Sequence, residues 1–265
     1  MTPSAGLPPD YRGVWVRAHP PDAHGHAPQH APWARWLQTA HWHAHLSLPS
    51  AALQGRQPIE LAGMRPEQLA ALTHQQAHMG RVQLQEHAEG EVCTWLRQVD
   101  YQPPALAPDA DWVVFHASDR VQRIGLHADD AHSWQRLPDS VGRSRCLAGL
   151  DAQGQDDGRR VLVAGAYAMR VQLGPVAWPR GMRPGLTLAE VMMHRPDLAL
   201  SWLDRELSFG RCEDGRWSIE RSTLPAREGC VHRCDMRLNP DDASLAWLEL
   251  DGHTESWRVL EWTDT

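Results

Sequence analysis

The chain has 265 residues, 42% of them apolar and 22% charged, and a formal net charge of −7; a chain of this size and balance can bury one large core or two smaller ones. The acidic excess and the lack of any basic stripe exclude a nucleic-acid backbone as the main partner, because phosphate neutralisation needs clustered cations. The first ten residues have neither the basic nor the apolar region of a secretory leader, and no apolar run approaches the ~20 residues of a membrane span, so a cytoplasmic protein with no membrane partner is expected.

In chain order, residues 1–10 read as a flexible tail and 13–17 as a first strand. The Pro- and His-rich stretch 20–32 is a loop, and His19, His24, His26 and His30 are read there as solvated side chains. From Trp36 to Leu48 the sequence alternates, with Trp36, Ala40, Trp42, Ala44, Leu46 and Leu48 on one side and His41, His43 and His45 on the other. This predicts one half-buried strand, or two strands in line, with the imidazoles facing solvent. Residues 65–76 open with Pro66 in a first-turn position and predict a short helix; Thr187 with Glu190 three residues on predicts a second.

Further strands are expected at 81–86, 92–101, 112–117, 121–127, 160–173, 200–209, 217–224, 246–250 and 256–262. Turn formers such as Glu89-Gly90, Asp157-Gly158, Glu213-Asp214-Gly215 and Asp251-Gly252 separate them. Many short strands with short polar turns predict an all-β fold, an antiparallel barrel architecture with two short helices. If the chain divides, it divides near 139–145, into a first barrel half at 11–140 and a second at 141–265; the alternative is one enlarged barrel over 11–265.

Gly13-Val14-Trp15 resembles the Gly-x-Trp opening of the lipocalins. The blocks Trp36-Leu37-Gln38-Thr39, Cys93-Thr94-Trp95, Asp100-Tyr101-Gln102-Pro103-Pro104, residues 202–210 and residues 219–225 are similar to a group of bacterial proteins related to the calycin-like Hri1 family. The resemblance implies a calycin, lipocalin-like barrel, or two packed barrels, and no set activity. The group tends to carry an acidic and a basic residue where this chain has His45 and Ser47, so a charge pair there is lost. Calycin barrels commonly lock an Arg against the N-terminal Trp, and the resemblance would give that place to Arg221 on Trp15.

Candidate chemistry is sparse. Three imidazoles on one strand cannot all reach one zinc ion. Cys230 and Cys234 flank His232, but the spacing matches no strong zinc motif, and Cys212 would join them only by the accident of folding. No metal and no cofactor are expected, and five cysteines in a chain without a leader read as reduced thiols. On strand 92–101 the odd positions place Trp95, Arg97 and Tyr101 on one face, an arrangement that can read an anion. On 217–224 Arg221 shares a face with Trp217 and Ile219 and needs a carboxylate, for which Glu206 or Glu228 is available.

The residues expected to line a ligand site are therefore Trp42, Trp95, Arg97, Asp100, Tyr101, His116, Glu206 and Arg221. The first functional expectation is a barrel that binds a small, mostly apolar ligand. The alternatives are a small barrel enzyme using Asp100, His116 or Glu206 for acid–base steps of isomerase or cyclase type, and an interaction protein whose barrels are filled with side chains. The sequence leaves the oligomeric state open, and a dimer is compatible with it.

Overall fold

The alternating segments close into two antiparallel barrels, each of eight strands in meander order. The computed structural model describes residues 6–19, 31–105, 109–126, 130–172, 174, 176–179 and 182–264. The first barrel comprises β1 (Gly13–Ala18), β2 (Trp33–Gln38), β3 (Trp42–Leu48), β4 (Gln76–His87), β5 (Gly90–Asp100), β6 (Asp109–Ala117), β7 (Arg120–Gly125) and β8 (Ala131–Arg136). The second comprises β9 (Ser144–Leu150), β10 (Asp156–Ala164), β11 (Tyr167–Gln172), β12 (Glu206–Glu213), β13 (Arg216–Ser222), β14 (Val231–Leu238), β15 (Leu245–Leu250) and β16 (His253–Thr263). In each, the first strand pairs with the last, so neither barrel presents an open edge. Asp214-Gly215 and Asp251-Gly252 turn with positive φ at both residues, as tight hairpins of this hand require.

Among the described residues, four short α-helices lie outside the barrels: α1 (Ser50–Leu53), α2 (Pro66–Leu72), α3 (Leu188–His194) and α4 (Ala199–Leu203). The expected helices are α2, which starts at Pro66, and α3, where Thr187 and Glu190 make a reciprocal capping box. Among the described residues, no helix is long and apolar enough to cross a membrane.

The segment 36–48 is not one strand, nor two in line. It is a hairpin in which β2 and β3 run antiparallel, with Trp36 opposite His45 and Gln38 opposite His43. The turn at Thr39–His41 contains no Gly or Asn and is closed instead by polar groups: Thr39 N–H donates to Trp42 O, and Gln38 Nε2 donates to the carbonyls of Thr39 and Trp42. Reversal after Gln38 separates Trp36 from Trp42, so Trp36 points into the barrel with the imidazoles while Trp42, Ala44, Leu46 and Leu48 point out.

That outward face is not solvated, because the second barrel covers it. Trp42, Leu46 and Met79 from the first barrel share one apolar core with Leu162, Met169 and Phe209 from the second, joined by Leu188, Trp202 and Leu203 from the helices. Each barrel also has its own inner core. The first is built on Trp15, Trp36, Trp95 and Trp134, and the second on Leu147, Val161, Val163, Trp217 and Trp257. With the outer face covered, β3 turns His43 and His45 to the inner face, His43 fully buried and His45 half-buried, and the expectation that they face solvent is overturned.

The same backbone device breaks the alternation in both barrels. In β5 the register against β4 shifts between Gly80 and Met79, so that Gly80 faces Arg97 but Met79 faces Val99. A Cβ on Gly80 would sit 1.9 Å from Leu96 O, so only Gly lets the strands approach there. In β13 the register against β12 shifts between Phe209 and Gly210, and a Cβ on Gly210 would sit 1.9 Å from Ser218 O. Both glycines lie in the fourth strand of their barrel. Each bulge turns the following side chains to the opposite face, which moves Tyr101 and Arg221 away from where strict alternation puts them.

One carboxylate ties the barrels together. Glu261 on β16 accepts from Ser144 Oγ at 2.6 Å in its own barrel and, across the interface, from Thr39 Oγ1 at 2.8 Å, Ala40 N–H at 3.0 Å and His41 N–H at 3.1 Å. Four donors converging on one anion are left without an acceptor when it is removed. Glu261→Ala is therefore expected to lower the urea-unfolding free energy by about 2–3 kcal/mol; a loss below about 0.5 kcal/mol, the usual size for an uninvolved surface change, would show that the carboxylate does not join the barrels.

Candidate functional site at the mouth of the first barrel

The inner space of the first barrel divides into an apolar half and a charged half. At the closed end, Leu7 and Tyr11 pack with Trp15, whose Nε1 donates to Tyr11 O at 2.9 Å. The cation against Trp15 is Arg136, 5.4 Å from the ring centre, and not Arg221. Arg136 comes from the last strand of the same barrel, whereas Arg221 belongs to the other one.

Above this floor, Arg123 on β7 occupies a cage of indoles, 3.8 Å over Trp95, with Trp36 at 5.0 Å and Trp134 at 5.7 Å. Its Nε donates to Asp111 at 2.6 Å, and its guanidinium stands 3.9 Å from Asp109. Arg97 on β5 donates to Asp100 at 2.8 Å and to Asp109 at 3.0 Å. The bulge beside Gly80 makes this pair possible, because it brings Asp100 to the inner face next to Arg97.

Against these charges lie three imidazoles. His43 Nε2 and His78 Nδ1 are 3.3 Å apart, the His45 and His78 ring centres are 5.0 Å apart, and His78 Nε2 is 3.7 Å from Asp109. Burial pushes His43 and His45 down to about 3, with Asp109 too weak a counterweight and the nearby arginines adding to the effect. His78 is also held well below its ordinary value, by burial first and by Arg97 next. All three are neutral at physiological pH. Burial also raises Asp100 and Asp111 above the usual carboxylate range, whereas for Asp109 the two arginines outweigh burial and hold it lower.

The cluster opens outward. A cavity of about 500 Å³ is lined by Trp95, Leu96, Arg97, Gln98, Asp100, Gln102, Pro104, Ala105, Asp109 and Trp178. Trp178 reaches it from the segment between β11 and α3, so the second barrel supplies one wall. Gln102 fixes this junction, accepting from Leu188 N–H at 3.1 Å and donating to Thr73 O and Gln75 O. Behind the cavity, Nδ1 of His43, Nδ1 of His45 and Nε1 of both Trp95 and Trp134 are buried with no hydrogen-bond partner. Among the described residues, no three His, Cys, Asp or Glu side chains are arranged to hold a metal ion.

Of the eight residues expected to line a site, Trp95, Arg97 and Asp100 meet here. The other five do not. Trp42 faces the interbarrel core with Arg81 over its ring, and Tyr101 is turned into the same core by the bulge, accepting from Gln75 Nε2 at 3.1 Å. His116 is exposed on β6, 3.2 Å from Gln122. Glu206 is buried in the second barrel, accepting from Ser208 Oγ at 2.8 Å with Arg227 at 3.7 Å. Arg221 has Glu228 at 3.9 Å, but that carboxylate accepts more closely from Arg56, at 2.9 Å.

Residues 200–209 were expected as one strand, but 199–203 are helix α4, so Trp202 is no strand residue. Asp109, Asp111, Arg123, His78 and Trp178 are absent from the sequence-based set. The alternation of Asp109 and Asp111 could have found two of them. His24, His26 and His30 lie outside the described residues.

No family model, curated protein or solved structure matches the chain.

Proposed function

We propose that the protein is a lipocalin-like, calycin-type barrel of the cytoplasm that binds a small, mostly apolar ligand at the mouth of its first barrel. The observation that carries this reading is the cavity of about 500 Å³, with apolar walls at Trp95, Leu96, Pro104 and Trp178 and an ionic floor at Arg97, Asp100 and Asp109. Concave apolar sites with a few convergent polar groups are the usual form of small-molecule sites. A flat ring bearing one polar head suits the geometry, the ring against the indoles and the head on the floor. The odd number of cysteines, five, fits a reducing compartment better than a disulfide framework.

Imidazoles held near 3 are weak bases at pH 7 and give acid–base catalysis no support, so that alternative rests on Asp100, the one of its three named residues that lines this mouth. The filled-barrel reading fits the middle of the second barrel, where the void among Val161, Trp217 and Leu248 holds only about 10 Å³, and not its end beside Cys212 and Cys234, where a cavity of about 240 Å³ opens.

The test uses intrinsic indole fluorescence with a panel of small aromatic and alicyclic acids, amines and amides. At least one class is expected to quench emission and raise the thermal midpoint, with the quenching reduced at least tenfold in affinity by Trp178→Ala. No quenching and no thermal shift across the panel would remove the binding reading.

A further inference from the structure

Cys212 and Cys234 come from β12 and β14, two strands separated by β13, yet their sulfurs are 4.0 Å apart. The tip of the β12–β13 hairpin explains this. β13 begins only at Arg216, and Cys234 N–H donates to Gly215 O at 2.9 Å, so Cys234 passes beside the turn where little chain intervenes. Each cysteine is 6% exposed, and both line a cavity of about 240 Å³ whose lining also holds Arg143 and Arg145 together with the acidic Glu213, Asp214 and Asp235. These cations are fixed in place: Arg143 donates to Gly165 O and Cys212 O, and Arg145 to Met236 O. The remaining thiols lack these features. Cys93 and Cys146 are buried away from this cavity, and Cys230 points to Ala226 O.

We infer that Cys212 and Cys234 form a reactive dithiol, which a low-molecular-weight disulfide of the glutathione class oxidises through the Arg143–Arg145 cavity. Cys212 is the attacking sulfur, because the Arg143 guanidinium is held at its own carbonyl. The hydrogen bond with Cys234 holds its thiol below the ordinary range, helped by Arg143 and Arg145, while Cys234 is held above it by that same hydrogen bond and by burial. The Cys212 thiolate attacks one sulfur of the small disulfide, that S–S bond breaks, and the first small thiol leaves with the proton Cys212 has lost. Cys234 then loses its proton and attacks Cys212 Sγ, and the second small thiol departs with that proton. The two cysteines give up two electrons, and the small disulfide is reduced to two thiols. Forming the bond draws the sulfurs together from 4.0 Å to about 2.05 Å and staples β14 across the hairpin tip. Such a disulfide in a reducing compartment is a transient, redox-sensing one.

The folded protein is incubated with glutathione disulfide at neutral pH, its free thiols are alkylated, and its peptides are mapped without reduction. The expected result is a peptide linking Cys212 to Cys234, a loss of two hydrogens in intact mass, and reversal by dithiothreitol. Cys234→Ser should accumulate a single glutathione adduct on Cys212, and Cys212→Ser should accumulate several-fold less on Cys234. Recovery of both cysteines fully alkylated in the native protein, or a link that joins Cys230 instead, would overturn the inference. The native-protein map decides even if a variant does not fold.

Discussion

Replacing Arg123 with methionine is expected to cost about 3–5 kcal/mol at neutral pH, a large fraction of the stability of an ordinary domain. The side chain is well covered and is the cation shared by Asp111 at 2.6 Å and Asp109 at 3.9 Å, and it fills the space among Trp36, Trp95 and Trp134. Methionine keeps most of the volume but leaves Asp111 buried without its partner and Asp109 with Arg97 alone. Arg123→Lys should recover only part of the loss, since an ammonium cannot lie flat on an indole while reaching two carboxylates. The deficit should also depend on pH. Without Arg123 the Asp111 carboxyl, already raised by burial, titrates higher still in the folded state, so the variant is least affected at low pH and loses most as pH rises. Urea unfolding of the wild type and both variants at pH 5 and 7.5 measures this; equal stability of Arg123→Met and wild type at pH 7.5 would show the cluster to be solvated.

Acid should destabilise the protein well before its exposed carboxylates titrate. His43 and His45 sit at about 3 in the folded state against 6.5 for the ordinary group, and His78 is shifted the same way. The unfolded chain takes up protons as pH falls through 6.5 while the folded chain does not. The stability contributed by these buried neutral rings is thus complete above 6.5 and is lost progressively toward 3. At pH 5 the loss is about 2 kcal/mol for each histidine that stays neutral. A variant with both His43→Gln and His45→Gln should lose about 4 kcal/mol less than the wild type between pH 7.5 and pH 5. The same pH dependence in both proteins would mean that the two rings titrate freely.

How much of this was legible in the sequence differs by level. Period two gave the barrel class, Pro66 and the Thr187–Glu190 box gave α2 and α3, and the Asp-Gly turns gave hairpins. The pattern in β3 distinguished two faces correctly but could not say what covers each. With a second barrel against Trp42 and Leu46, the polar face became an interior, which no local pattern reports. The bulges at Gly80 and Gly210 shift the phase by one residue, so Asp100 joined Arg97 while Tyr101 and Arg221 left their expected faces. Asp109, Asp111 and Arg123 meet Arg97 only through pairing of β5, β6 and β7, and their separation along the chain follows no motif spacing. Trp178 arrives from the other barrel, a contact set by tertiary packing alone.

β3 turns His43 and His45 inward, beside His78 of β4, against the charged mouth of the first barrel. Nitrogen-15 NMR of the imidazole rings across pH 8 to 5 reports their state. His43, His45 and His78 are expected to keep the shifts of neutral rings down to pH 5. Titration of all three between pH 6 and 7 would contradict the buried site and the binding role built on it.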